Sequence, residues 1–146
     1  SPLIAASFAA GRNNQPTNQG DKLMGKPSRD KGKRGEREFA AVLIDHGFTA
    51  RRGVQYSGGV DSPDVICTEL HDVHFEVKRV EKPNLKAAYA QAFQDAGIKE
   101  PVVVTRQNGQ QWMTYCSAAY FIGLQARIKS LEESLYKAQS LLVAHD

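Results

Sequence analysis

An α/β domain closed by a long C-terminal helix is the fold class this sequence predicts, on three observations. Apolar residues recur at helical spacing in two separate segments, Gly35–His46 and Leu85–Phe93. Strand-like alternation and a β-branched run occupy the segments after each of them. The tail carries one sustained apolar repeat of threes and fours. A chain of 146 residues with 41% hydrophobic and 24% charged content is sized for one domain whose core needs no disulfides.

Taken in order, Leu3–Ala10 is apolar but short and without a basic flank, and the residues after it are rich in Asn, Gln and Gly. Met24-Gly25 looks like a natural start, so residues 1–23 are expected to be a leader or extension outside the core. Residues 24–124 then form the domain, and 125–146 a C-terminal helix and candidate dimerisation segment. In the first helix, Gly35–His46, Phe39, Val42 and Leu43 share a face and Gly47 is the stop. Phe48–Val54 resembles a strand leading into the Ser57-Gly58-Gly59 loop, and Asp64–Cys67 is a second, short strand. His74–Val80 alternates as a half-buried strand does. Pro83-Asn84 opens a helix with the stripe Leu85, Ala88, Ala92 and Phe93, ending near Gly97. Pro101–Thr105 reads as a buried strand, Asn108-Gly109 as a tight turn, and Gln111–Tyr115 as the returning strand of a hairpin. From Ser117 onwards, Phe121, Leu124, Ile128, Leu131, Leu135, Ala138 and Leu142 form an a/d seam about three heptads long. That seam either packs on its own domain or pairs with a second copy of the chain.

Charge is modest in sum, +3, but uneven. Lys22, Lys26, Arg29, Lys31, Lys33, Arg34 and Arg37 face only Asp30 and Glu36 in the same stretch, and Arg51, Arg52, Lys78, Arg79 and Lys82 extend the basic character. Such a cluster suits a polyanion backbone, where phosphate contacts release counterions. No apolar run reaches the 18 or so residues a membrane-spanning helix needs, so no membrane partner is expected. Cys67 and Cys116 make no disulfide framework, which favours a reduced, cytoplasmic setting. Cys67, His71 and His74 lack the paired-cysteine spacing of a zinc knuckle, and Cys67 reads as a small core residue. Trp112 and Tyr115 read as sheet packing, and no Gly-x-Ser-x-Gly elbow supports a serine hydrolase.

The chemistry concentrates in Pro63-Asp64, followed twelve residues after Asp64 by Glu76-Val77-Lys78. On a strand, Glu76 and Lys78 share one face while Phe75 and Val77 take the other, towards a core. Hard cations such as Mg²⁺ use one or two protein carboxylates and leave other positions to water and phosphate. Asp64 and Glu76 can supply those carboxylates, and Lys78 a positive charge beside an attacked phosphate.

With Lys31-Gly32-x-x-x-Glu36, Arg51 or Arg52, Ser57-Gly58 and Gln91 in the same order, the chain resembles the PD-(D/E)xK nuclease superfamily over roughly Arg29–Leu124. Within it the likeness is to the Holliday-junction-resolvase-like branch, including small phage and prophage members. The resemblance implies a restriction-endonuclease-like core, a central mixed β-sheet flanked by helices, here with the long C-terminal helix added. It implies that Asp64, Glu76 and the backbone carbonyl of Val77 coordinate Mg²⁺, with Mn²⁺ as substitute. Glu36 would hold a water of that metal or a second metal; Glu38 competes for this role, but its spacing from Lys31-Gly32 is less favourable. Lys78 would orient or help deprotonate the attacking water, and Gln91 would position water or Lys78. Ser57 would touch the DNA strand, with Lys31, Lys33, Arg34, Arg51, Arg52, Arg79 and Lys82 as further DNA contacts. The implied activity is Mg²⁺-dependent endonucleolytic cleavage of branched DNA by a homodimer, in a bacterial or phage-infected cell. Cleavage of flaps or plain duplex by a repair or replication nuclease is the alternative, and a non-catalytic DNA-binding module is a third.

Overall fold

The computed structural model describes residues 26–54 and 63–144. The leader, Lys22 and the Ser57-Gly58-Gly59 loop lie outside the described residues. The chain divides into two units, one running to Tyr115 and one from Cys116.

The first unit runs α1 (Lys26–Asp45), β1 (Ala50–Arg52), β2 (Val65–Cys67), β3 (Val73–Lys78), α2 (Leu85–Ala96), β4 (Glu100–Thr105) and β5 (Met113–Tyr115). The five strands make one sheet in sequential order. It is mixed: β3 and β4 are parallel, with Glu76 beside Val103 and Lys78 beside Thr105, and the other neighbours are antiparallel. A parallel neighbour needs a crossover connection, and α2 supplies it.

In-register neighbours share a face, so Glu76 and Val103 point the same way. Val103 packs with Ala88 and Ala92 of α2, with Leu85, Tyr89 and Tyr115 around them. Phe75 points oppositely and meets Phe39 of α1 at a centroid distance of 5.2 Å; the Trp112 ring lies 5.3 Å from that of Phe39. Helices therefore cover both faces of the sheet, in the α/β class expected from the sequence, and Cys67 is a buried core residue.

α2 begins and ends as its sequence predicts. Asn84 Oδ1 accepts the Ala87 N–H at 3.1 Å, and Gly97 takes φ 59° beyond the last turn. Its buried stripe is Ala88, Ala92 and Ala96, whereas the expected Phe93 is 64% exposed. The small side chains Ala88 and Ala92 pack on Val103, while the Phe93 ring stands 6.5 Å from that of Tyr89. α1 differs more: it starts at Lys26, nine residues ahead of the predicted Gly35, so most of the basic stretch is helical. The early turns carry no apolar stripe to announce them. Gly47, at φ 89°, ends the helix, with Phe48 N–H returning to Leu43 O at 3.0 Å.

Two close backbone approaches seat the functional segment. Gly53 donates its N–H to Asp64 O at 2.8 Å, and a Cβ there would stand 2.0 Å from the Pro63 carbonyl oxygen. At Gly35 a Cβ would meet Arg79 Cβ at 2.4 Å, so α1 comes down onto the end of β3 at this point.

In the second unit, α3 (Ala118–Ala144) is capped by Ser117, whose Oγ accepts the Tyr120 N–H at 3.0 Å. None of its residues is buried. Phe121, Ile128, Leu131, Leu135 and Leu142 of the predicted seam are all exposed. Among the described residues, no helix is long and apolar enough to cross a membrane.

Gly35→Ala tests the approach of α1 to β3. In an exposed helix the change stabilises by about 1 kcal/mol. Here overpacking against Arg79 costs roughly 1–3 kcal/mol, so denaturant melts should show a net loss. A gain would mean that α1 does not sit this close.

Candidate active site

Asp64 precedes β2 and is tied to β3 on both sides of Glu76. Its N–H donates to Phe75 O at 3.0 Å, and its Oδ2 accepts the Val77 N–H at 2.8 Å. The side chain is therefore held where the Pro63-Asp64 turn meets the strand carrying Glu76-Val77-Lys78. Only 8% of Asp64 is exposed. Burial, then the charge of Glu76, push its carboxyl up to about 7 against the pull of the Val77 hydrogen bond; Glu36 raises it further and Lys78 lowers it. Asp64, Glu76, Glu36 and Lys78, four residues from three parts of the sequence, thus form one electrostatic group.

Each neighbour of Asp64 has a partner. Lys78 Nζ lies 3.2 Å from Glu76 Oε1, as expected for residues two apart on a strand. Glu36 receives Arg52 Nε of β1 at 2.5 Å. Glu38, two residues on, points elsewhere: its Oε2 takes Arg79 Nε at 3.2 Å and Arg106 Nη1 at 3.3 Å. Residues two apart on a helix diverge by about 200°, which is why one carboxylate of this pair reaches Asp64 and the other clamps the strand ends. Of the two candidate helix carboxylates, the structure brings Glu36 to the site.

The donor set suits a hard divalent cation. It consists of carboxylate oxygens, and the proton that Asp64 keeps to about pH 7 reflects uncompensated negative charge in a buried place. A cation shared by Asp64 and Glu76, with the Val77 carbonyl alongside, would supply that compensation.

The remaining expected residues divide into two groups. Lys33, Arg34, Arg51 and Lys82 are exposed, and Lys31 is partly so. Arg52 and Arg79 are instead engaged within the fold, Arg52 on Glu36 and Arg79 on Glu38 and the Arg106 carbonyl. Gln91 is exposed on α2, and its amide donates to Asp95 Oδ2 at 2.9 Å, so its partner is this acid rather than Lys78. Ser57 lies outside the described residues. Sequence reasoning overlooked Asp95 and the place of His74: ligand atoms of His74, Glu76 and Asp95 all lie within 4.8 Å of one another. His74 shares the period-two face of Glu76, a signal present in the sequence; Asp95 is brought there by the crossover helix alone.

A mixed sheet covered on both faces, with acidic residues converging where β2 meets β3 and a lysine two positions beyond the second acid, defines a nuclease domain of the PD-(D/E)xK kind. Residues 27–114 match the archaeal Holliday junction resolvase (Hjc) family, and the chain belongs to that family. Among solved structures it is similar to Hjc from Archaeoglobus fulgidus, a Holliday junction resolvase from an archaeal hyperthermophile. The identity is 22%, over 57% of this chain and 74% of that one, with a TM-score of 0.43. No curated protein matches this chain.

The raised carboxyl of Asp64 has a consequence for stability. Unfolded, this group ionises near 3.8; folded, it does so near 7. Its contribution is fully present below pH 3.8, falls as pH rises through that interval, and is gone above about 7. Asp64→Asn keeps an acceptor for Val77 and cannot ionise. In chelator, its thermal stability relative to wild type should therefore improve between pH 4 and pH 8, by roughly 1–4 kcal/mol. Added Mg²⁺ should narrow the difference. A pH-independent difference would show that Asp64 ionises normally in the fold.

Proposed function

We propose that this protein is a Mg²⁺-dependent endonuclease that hydrolyses phosphodiester bonds at four-way DNA junctions and works as a homodimer. The observation that carries the reading is the pair of hydrogen bonds holding Asp64 astride Glu76, with the Lys78 ammonium on the Glu76 carboxylate. Asp64 and Glu76 would hold the cation, with the Val77 carbonyl as third donor and Glu36 as holder of a metal-bound water; Mn²⁺ would replace Mg²⁺. When bound, such a cation would lower the pKa of water and offset charge on the attacked phosphate. Lys78, with its side chain 39% exposed, is placed to meet a phosphate at the mouth of the site, orient the attacking water and offset developing negative charge. Arg52 holds Glu36 aimed at the site, and Gln91 acts through Asp95.

DNA meets the protein through Lys31, Lys33, Arg34, Arg51 and Lys82, with Ser57 as a further contact. Phosphate contacts of this kind select shape over sequence. Binding should weaken steeply with salt.

The dimer is assigned to α3. Its 27 residues, about 40 Å of helix, expose Phe121, Ile128, Leu131, Leu135 and Leu142 along one a/d seam. A second copy would bury that stripe, and a two-fold axis supplies two sites for two symmetric nicks.

Asp64→Asn and Glu76→Gln should each lower the rate of Mg²⁺-dependent cutting of a synthetic four-way junction by at least about 100-fold. Gel-shift affinity for the same junction should hardly change. Cutting at the wild-type rate by both variants would remove the assignment, and preference for linear duplex of equal length would remove the junction. Deletion of residues 125–146 should halve the mass seen by light scattering; an unaltered dimer would place the interface elsewhere.

A further inference from the structure

On the α2 side of β3 stands a second group of side chains of metal-ligand type, distinct in chemistry from the Asp64 site. His74, 1% exposed, and Glu76 stand two residues apart on one strand face, and Asp95 descends on them from the last turn of α2. One imidazole nitrogen and two carboxylate oxygens lie within 4.8 Å of one another. A tetrahedral ion with bonds of about 2.1 Å needs donors roughly 3.4 Å apart, so a modest side-chain rotation closes the set around a cation. Gln91 donates to Asp95 Oδ2 at 2.9 Å, leaving Oδ1 of that carboxylate to turn towards the strand. Such outer hydrogen bonds orient metal-ligating carboxylates.

The donor chemistry separates this site from that of Mg²⁺. An imidazole disfavours a hard ion and favours Zn²⁺, Co²⁺ or Ni²⁺. Two carboxylates beside a neutral imidazole balance the charge of a divalent ion in a place where unpaired charge is costly. Glu76 belongs to both sets. We propose that His74, Glu76 and Asp95 bind a borderline transition-metal ion such as Zn²⁺, and that this ion draws the Glu76 carboxylate away from Asp64 and restrains cleavage. The restraint rests on the nuclease reading above; the metal site does not.

Co²⁺ serves as the probe, added to the metal-free full-length chain and followed by visible ligand-field absorption and calorimetry. One equivalent should bind with a four- or five-coordinate spectrum. Asp64→Asn, which lacks the hydrolytic carboxylate, should retain that spectrum. His74→Ala and Asp95→Asn should each weaken binding at least tenfold; Asp95→Asn is the safer variant because the residue is only partly buried and Asn can still accept from Gln91. Loss of the spectrum in Asp64→Asn, or its survival in both His74→Ala and Asp95→Asn, overturns the site, as does failure of Co²⁺ to bind. In junction cleavage at fixed Mg²⁺, micromolar Zn²⁺ should inhibit wild type, and Asp95→Asn should need at least tenfold more. Equal inhibition of the two overturns the restraint on Glu76. A chain that never cuts DNA would sink the nuclease reading while leaving the Co²⁺ results to stand or fall alone.

Discussion

Two backbone groups of β3, the carbonyl of Phe75 and the N–H of Val77, hold Asp64 astride Glu76, and the rest of the site depends on that constraint. Without it, a short strand entered through a Pro-Asp turn would have no reason to keep a buried acid beside another acid. The hydrogen bond from Val77 favours the ionised carboxylate, but burial and the two neighbouring glutamates outweigh it and leave Asp64 hard to ionise. The fold thus accepts an electrostatic cost at one position and keeps a strong, aimed oxygen donor there. Costs of this kind collect at functional sites because the surrounding structure over-determines them.

Around Asp64 the charges are arranged so that no other member carries a comparable burden. Lys78 balances Glu76, Arg52 balances Glu36, and Arg79 with Arg106 balances Glu38. The last of these is a mechanical device. It ties the middle of α1 to the ends of β3 and β4, close to where Gly35 lets the helix backbone approach Arg79. Because Glu36 and Glu38 leave the helix in nearly opposite directions, the same turn of α1 both anchors the helix and turns a carboxylate towards Asp64. Arg52 and Arg79, expected as DNA contacts, each pair with one of the protein's own acids. Exposed Lys33, Arg34, Arg51 and Lys82 carry the basic surface instead.

The family match rests on residues 27–114, while α3 runs from Ala118 to Ala144. The chain therefore joins a nuclease domain to a helix beyond the matched segment. A 27-residue helix with no buried residue is held mainly by its own hydrogen bonds and by pairs such as Lys129–Glu133 at 3.7 Å. Its exposed leucines are an energetic liability in isolation, which is the physical argument for a covering partner.

The sequence by itself determined the element types, the alternation that puts Glu76 and Lys78 on one strand face, the Asn84 cap and the Gly47 and Gly97 stops. These depend on periods and backbone preferences that act over a few residues. It did not reveal that α1 begins at Lys26, because the turns before Phe39 carry no apolar stripe to read. It also mistook Phe93 for a core residue, where three alanines do the packing. What the residues alone did not show is that Arg52 and Arg79 pair with glutamates, and that Asp95 comes beside His74 and Glu76. Each of those outcomes depends on where a helix crosses a strand remote in sequence, and no local pattern of residues encodes that placement.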